Sequence, residues 1–306
     1  MIKKTVDIII PTYKIPAGFP ELLAGLSRQS YPYGRMIIMH TLPEEETLPV
    51  FPDVRNCEVY PVRPEEFDHG GTRDKALRLS SADLVLFLTQ DAVPADEFLV
   101  EHLVKAFEEE KTAVAYGRQM AASDASEIEK FTRIFNYPEE SCVKEEKDTE
   151  RLGIKTYFCS DVCAMYDRER YLALGGFITK TIFNEDMIFA HKAITSGYRV
   201  AYCADAKVIH SHNYTGWQQL RRNFDMGVSQ ADHPEVFLSV SSSKEGASMV
   251  KETAKHLIRI HRPLQVFRLI YMSGMKYTGY QLGKHYKKLP QAWIRKLTTN
   301  KYYWRN

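Results

Sequence analysis

The chain has 306 residues, 44% of them hydrophobic and 26% charged, with 41 Lys+Arg against 39 Asp+Glu. That composition excludes disorder, collagen-like repetition and a multi-span membrane protein, and the length suits one large domain with an appendage or two domains. The near-neutral total hides a strong asymmetry: residues 251–306 carry thirteen Lys/Arg and one acid, a net +12, and the remainder sums to −10. A tail so basic is expected to meet something anionic, nucleic acid or a membrane surface.

Val6 to Ile10 reads as a buried strand ending in the loop Pro11-Thr12-Tyr13, and a helix follows with Phe19, Leu22, Leu23 and Leu26 on one face. Arg35 to His40 is a second strand. Gly70-Gly71 makes a turn, Thr72 is placed to cap, and Arg73 to Leu79 forms a short helix. Leu84 to Thr89 is apolar almost throughout, as a strand buried on both faces of a parallel sheet would be. After Pro94 a helix runs through Phe98, Leu99, Leu103 and Phe107, and Ala113 to Tyr116 is another strand. Glu139 to Glu150, acidic and polar, reads as a mobile loop. A helix opens near Asn184 and stops at Ser196-Gly197, and Tyr198–Tyr202 and Lys207–His210 read as two further strands. The Ser-rich stretch Ser239 to Ser248 is the expected boundary, with a basic helical region beyond it.

Alternating strands and helices predict an α/β fold, a mostly parallel sheet flanked by helices. Ligands of such sheets bind beyond the carboxyl ends of the strands, so the loops after Ile10, His40 and Thr89 should face one cleft. The five cysteines (57, 142, 159, 163 and 203) are an odd number without a CxxC. Reduced thiols in a cytosolic protein are the expectation, because no second pair joins Cys159 and Cys163 into a metal site. Asp7 interrupts the N-terminal apolar run and Pro11 ends it, too short for a signal-peptide core.

Four groups of residues can carry chemistry. Asp91 stands just past a buried strand and can hold a divalent cation against a nucleotide diphosphate, or else cap the helix begun near Pro94. Gly70 and Gly71 allow close backbone approach and Arg73 offers a donor fork for phosphate or base; an ordinary glycine turn is the alternative. Asp186, in the first turn of a helix, is expected to stay ionised near neutrality and to serve as a general base, unless Asn184, Glu185 and Asp186 simply cap that helix. His210 and His212 follow a strand and can ligate a metal or a phosphate, and Arg221 and Arg222 can clamp a diphosphate.

Taken in order, these motifs resemble the GT-A fold glycosyltransferases of family 2, and more narrowly the bacterial rhamnosyltransferases of O-antigen and cell-wall polysaccharide synthesis. The resemblance rests on Ile8-Ile9-Ile10-Pro11-Thr12-Tyr13, Phe67-Asp68-His69-Gly70-Gly71-Thr72-Arg73, Leu88-Thr89-Gln90-Asp91-Ala92, Asn184-Glu185-Asp186, and His210-Ser211-His212-Asn213-Tyr214-Thr215 with Arg221-Arg222. It implies the GT-A (nucleotide-diphospho-sugar transferase) fold over residues 1–238, with a nucleotide-sugar half to about 118 and an acceptor half after it, followed by a basic helical C-terminal extension over 239–306. It implies Asp186 as catalytic base and Pro11, Thr12, Tyr13, His69, Gly70, Arg73, Asp74, Gln90, Asp91, Glu185, Arg221 and Arg222 as donor-binding residues. Asp91, His210 and His212 would hold a divalent cation, Mg²⁺ or Mn²⁺.

The chain departs from the family pattern in having Thr89-Gln90 ahead of the single acid Asp91, Asp74 where relatives often have Asn, and His40-Thr41 where an acid usually follows the second strand. The implied reaction is an inverting transfer, most simply of L-rhamnose from dTDP-rhamnose to a lipid-linked glycan. The alternatives are a transferase using UDP-Gal, UDP-Glc or UDP-GlcNAc, and a non-catalytic nucleotide-sugar-binding subunit. Leu264 to Leu282 mixes apolar, aromatic and basic residues, as interfacial helices do. The tail is therefore expected at the cytoplasmic face of the inner membrane, with a solvated or homo-oligomer-forming helix as the alternative. No nucleic-acid motif accompanies it, so nucleic acid is not the expected partner.

Overall fold

The computed structural model describes residues 3–43, 46–238 and 243–305. A nine-stranded sheet organises them: β1 (Val6–Tyr13), β2 (Met36–Thr41), β3 (Cys57–Val62), β4 (Leu84–Leu88), β5 (Val93–Pro94), β6 (Thr112–Met120), β7 (Cys142–Lys144), β8 (Cys163–Asp167) and β9 (Arg199–Ile209). The order is β3-β2-β1-β4-β8-β6-β9-β5, with β7 also paired to β9. β3, β2, β1 and β4 run parallel, as do β6 and β9; β8 is antiparallel between β4 and β6. β1, β2 and β4 are buried through most of their length, which explains their unbroken apolar sequence.

The helices are α1 (Phe19–Ser27), α2 (His69–Leu79), α3 (Leu99–Lys105), α4 (Glu127–Asn136), α5 (Thr149–Leu152), α6 (Arg168–Ala173), α7 (Glu185–Thr195), α8 (Gly216–Asp232), α9 (Pro234–Phe237), α10 (Ser243–Arg259), α11 (Gln265–Lys284) and α12 (Gln291–Leu297). Two cores cover the two faces of the sheet. Leu22, Leu26, Leu99 and Leu103 pack with Ile8, Ile10, Leu84 and Leu86 on one face; Phe177, Phe189 and Tyr171 pack with Ile9, Phe87 and Tyr166 on the other.

Several local expectations change. β1 runs on through Pro11 to Tyr13, with Pro11 opposite Met39 of β2. Asp68, not Thr72, caps α2, its carboxylate accepting from the Gly71 amide. The stretch 139–150 is not an open loop: β7 pairs with β9 there, and the buried Lys144 ammonium donates to the Lys155 and Phe158 carbonyls. The two strands read at 198–202 and 207–210 are one strand, β9, interrupted by an irregularity opposite Gly117/Arg118. The expected boundary starts at residues 239–242, outside the described residues; α10 is already under way at Ser243.

The C-terminal helices share a third core with α8. Leu220, Phe224 and Val228 of α8 meet Ile294 and Leu297 of α12, together with Ile182. α11 lies so close to α8 that a Cβ on Gly283 would stand 2.0 Å from the Phe224 carbonyl oxygen. Away from α8, Phe267 of α11 is 74% exposed with Ile270 and Tyr277 exposed beside it, and Leu264, just ahead of the helix, is 79% exposed.

Candidate active site

Asp91 follows β4, and His210 and His212 follow β9. Their arrangement brings the Asp91 carboxylate 3.5 Å from His210 Nε2 and 3.4 Å from His212 Nε2, and the two imidazole nitrogens lie 3.1 Å apart. Asp91 does not cap α3, which starts at Leu99 with Phe98 ahead of it.

The neighbours fix which nitrogen of His210 carries its proton. Arg133, which can only donate, donates to Gln119 Oε1, and Gln119 Nε2 donates to Ser160 Oγ. His210 Nδ1, 3.0 Å from that same Oε1, must then be a donor, which leaves Nε2 with its lone pair aimed at Asp91 and His212. Burial lowers the His210 pKa to about 3 and lowers that of His212, so both rings are neutral at physiological pH. Two neutral imidazoles and a carboxylate converging on one point form a donor set suited to a divalent cation.

A cleft of about 430 Å³ opens beside this cluster, lined by Arg73, Asp161, Glu185, Asp186, Tyr214 and Arg222 among others. Glu185 and Asp186 open α7, but Asn184 does not cap it: Asn184 takes a left-handed conformation, φ 66°, and its side-chain amide donates to Ser229 Oγ on α8. Asp186 accepts from the Asp161 amide at 3.1 Å and the Met187 amide at 2.7 Å. Its carboxyl is nevertheless pushed up to about 7, first by burial and then by the neighbouring Glu185 charge. The expectation of a fully ionised group near neutrality is thereby corrected. Three carboxylates, Asp161, Glu185 and Asp186, surround one guanidinium, that of Arg73. Burial without enough compensating charge favours a proton on the group.

Arg73 is buried and committed, 3.1 Å from Glu185 and 3.4 Å from Asp161. It holds the acid cluster together from the wall of the cleft. Asp161 has no counterpart among the sequence expectations. Its carboxylate accepts from the Tyr166 hydroxyl at 2.6 Å, and burial raises its pKa well above the ordinary range. No local pattern marks it, since it becomes a site residue only when β8 is inserted between β4 and β6.

The remaining expected residues divide. Gln90 holds Tyr13 from both sides, accepting from its amide and donating to its carbonyl, and so ties the end of β1 to the loop carrying Asp91. Tyr13 lines a second cavity of about 400 Å³ with Thr41, Phe67 and His69. Pro11 lies within the β1/β2 pairing, and the Thr12 hydroxyl is taken by His40 Nδ1 at 2.8 Å, so neither borders that cavity. His69 borders both cavities, its ring packed by Phe67 and Phe183, and burial lowers its pKa to about 4.

Gly70 is required by protein rather than by ligand: a Cβ there would stand 2.0 Å from the Ile178 carbonyl oxygen. Asp74 turns away from the cleft, pairing with Arg78 at 2.7 Å and accepting from the Tyr171 hydroxyl at 3.0 Å. Arg222 reaches the cleft, its guanidinium 4.8 Å from the centre of the Phe183 ring. Arg221 projects elsewhere and donates to the Thr298 carbonyl near the C-terminus, so a two-arginine clamp is not formed.

All five cysteines are free thiols, and among the described residues the His/Cys/Asp/Glu group placed to hold a metal is Asp91 with His210 and His212.

Residues 7–174 match the family profile described as glycosyl transferase family 2. The chain is 37% identical over 303 residues to the O-antigen chain rhamnosyltransferase RfbN of Salmonella typhimurium, covering 98% of this chain and 96% of that protein. It is 36% identical to the O-antigen chain rhamnosyltransferase WbaN of Salmonella anatum, covering 98% and 95%. Among solved structures, the mannosyltransferase PcManGT of Pyrobaculum calidifontis, in complex with GDP-Man and Mn²⁺, superposes with a TM-score of 0.59 at 16% identity, over 94% of this chain and 88% of that one. A TarS fragment from S. aureus in complex with UDP-GlcNAc gives 0.53 at 15% identity, over 93% and 91%. At that identity the likeness is one of fold, the GT-A architecture.

Proposed function

The chain belongs to glycosyl transferase family 2, and from that premise we propose that this glycosyltransferase moves L-rhamnose from dTDP-rhamnose, with inversion, onto a lipid-linked glycan acceptor. The names of its relatives support the sugar and the pathway, and the observation that carries the mechanism is the placement of Asp186 across one cleft from the Asp91, His210 and His212 cluster.

Asp91, His210 and His212 would hold the divalent cation, Mg²⁺ or Mn²⁺, which when bound would supply positive charge to the donor's diphosphate. Arg222 adds a cation from the protein to the same region. Tyr13, held by Gln90, borders the second cavity, which accommodates the nucleoside. Asp186 removes the proton from an acceptor hydroxyl. The resulting oxygen bonds to the anomeric carbon from the face opposite the leaving group, the bond from that carbon to the diphosphate oxygen breaks, and the electron pair leaves with the nucleoside diphosphate. Asp161 and Arg73 keep Asp186 oriented, through the Asp161 amide and the Arg73–Glu185 pair. A group whose pKa lies near the working pH is suited to this task, because it accepts the proton without being too weakly basic to drive its removal.

The exposed apolar side chains of α11 support docking on an anionic membrane surface, where a lipid-linked acceptor resides. Phe267 and Ile270 project from the helix, and Arg262 and Arg268 flank them. Among the described residues no helix is long and apolar enough to cross a membrane.

The test is release of dTDP from dTDP-rhamnose in the presence of Mn²⁺ and a lipid-linked acceptor, with UDP-Gal, UDP-Glc and UDP-GlcNAc run in parallel. Turnover with dTDP-rhamnose alone is expected. Preferential turnover of a UDP-sugar would replace the donor, and binding without any turnover would favour a non-catalytic subunit.

A further inference from the structure

The second cavity has two walls of different origin. One comes from the carboxyl ends of the first strands, where Tyr13, Thr41 and Phe67 contribute. The other is the stretch Thr299, Asn300, Lys301 and Tyr302, about 260 residues away in sequence from β2. This end is anchored. Asp225, fully buried on α8, accepts from the Thr298 hydroxyl at 2.7 Å and the Thr299 amide at 2.7 Å, and also from the Thr299 hydroxyl.

Among the described residues the hydrogen bonds that Asp225 receives all come from Thr298 and Thr299, so without the tail a buried carboxylate would lose its partners. Arg221, one turn back on α8, donates to the Thr298 carbonyl and secures the same point. Asn300 then accepts from the Tyr302 and Tyr303 amides and fixes the final turn.

We propose that residues 299–302 form the outer wall of the donor's nucleoside subsite, held in place by Asp225 and Arg221 as positioning residues. The proposal rests on the nucleotide-sugar reading above. The cavity has the size of a nucleoside, aromatic side chains on both walls for a base to lie against, and an ammonium at Lys301 on the side contributed by the tail. His69 is a wall shared with the cleft that holds the acid cluster, so a base seated there has its phosphates on the side of Asp91 and Arg222. On this view the basic C-terminal region has a donor-binding role apart from any membrane contact.

The experiment is calorimetric binding of dTDP and UDP, with Mn²⁺, to the full chain and to the double variant Lys301→Ala/Tyr302→Ala. Both side chains are exposed, so the fold should be retained. Affinity for dTDP should fall about tenfold or more, and donor KM should rise by the same factor while acceptor KM and kcat at saturating donor stay put. Asp225→Asn should shift donor KM in the same direction without altering acceptor KM. Independently of any variant, added dTDP should slow amide exchange over residues 299–303 of the wild-type chain. Unchanged dTDP affinity in the double variant, or unchanged exchange at the tail while dTDP is bound, would overturn the proposal. A wild-type chain that bound neither nucleotide would instead defeat the donor reading on which it rests.

Discussion

The acid limb of the pH–rate profile tests the assignment of Asp186 most directly. Its carboxyl sits at about 7 because it is buried and because Glu185 lies next to it in the cluster around Arg73. A general base works only when deprotonated, so kcat/KM should rise with unit slope up to about pH 7 and level off above. Two pH units below that midpoint roughly one molecule in a hundred carries the base form, and the rate should fall in proportion. This loss is separable from unfolding. A carboxyl whose pKa is higher in the folded than in the unfolded state contributes stability that is fully present below its ordinary value and is lost as pH rises through about 7. Mild acidification therefore favours the fold around Asp186 while it silences the base.

Glu185→Gln supplies the diagnostic perturbation. It removes a negative charge from beside Asp186 and frees Arg73 from one partner, and both changes lower the Asp186 pKa. The limb should move toward acid in that variant and disappear in Asp186→Asn, whose residual rate should be flat with pH. Nucleoside diphosphate release, followed from pH 5 to 9 with circular dichroism on the same samples, reads both quantities. A flat wild-type profile with intact fold, or a limb that stays in place in Glu185→Gln, would exclude Asp186 as the base.

Chelation should abolish transfer and added Mn²⁺ should restore it; Gln119→Leu, which removes the acceptor that fixes the His210 tautomer, should weaken Mn²⁺ by about 10- to 100-fold in a metal titration. Gly283→Ala should lower stability by about 1–3 kcal/mol in chemical denaturation because its methyl group meets the Phe224 carbonyl, outweighing the gain of about 1 kcal/mol in helix propensity; a stabilised variant would mean that α11 does not press on α8. Sedimentation with anionic vesicles at low salt should fall in Phe267→Ser/Ile270→Ser and be reversed by high salt for the wild type; equal binding to neutral vesicles at every salt would speak against an electrostatic membrane contact.

What the residues disclosed in advance follows from how local each signal is. β1, β2 and β4 are buried from end to end or nearly so, and their apolar runs announce them. β3 lies at the sheet edge, half-buried, with Glu58 and Pro61 breaking its pattern, and it escaped notice. Asp91, His210 and His212 were legible because each stands just past the end of a strand, where an α/β sheet collects its ligands. Arg221 and Arg222 were not separable in sequence, because one step along a helix turns the side chain by about 100° and sends neighbours to different faces. Asp161 and the tail wall were hidden for a stronger reason. Their roles depend on contacts between distant segments, β8 with β4 in one case and the last turn with the ends of β1 and β2 in the other.

That long-range dependence converges on α8. Arg222, Met226 and Gln230, four residues apart, line the reaction cleft. Arg221 and Asp225 grip the tail, while Leu220, Phe224 and Val228 enter the core shared with α12. Gly227 lets α11 approach, since a Cβ there would stand 2.4 Å from the Tyr280 carbonyl oxygen. One helix thus has its successive faces committed to the cleft, the tail wall and α11, and close-packed elements pass a displacement on to their neighbours instead of absorbing it. Forcing α11 outward by Gly283→Ala should therefore raise donor KM as well as lower stability, because the helix that is pushed is the one that carries Arg222 and anchors residues 298–299. Lost stability with an unchanged donor KM would show that α8 takes up the push at Phe224 without moving Arg222 or Asp225.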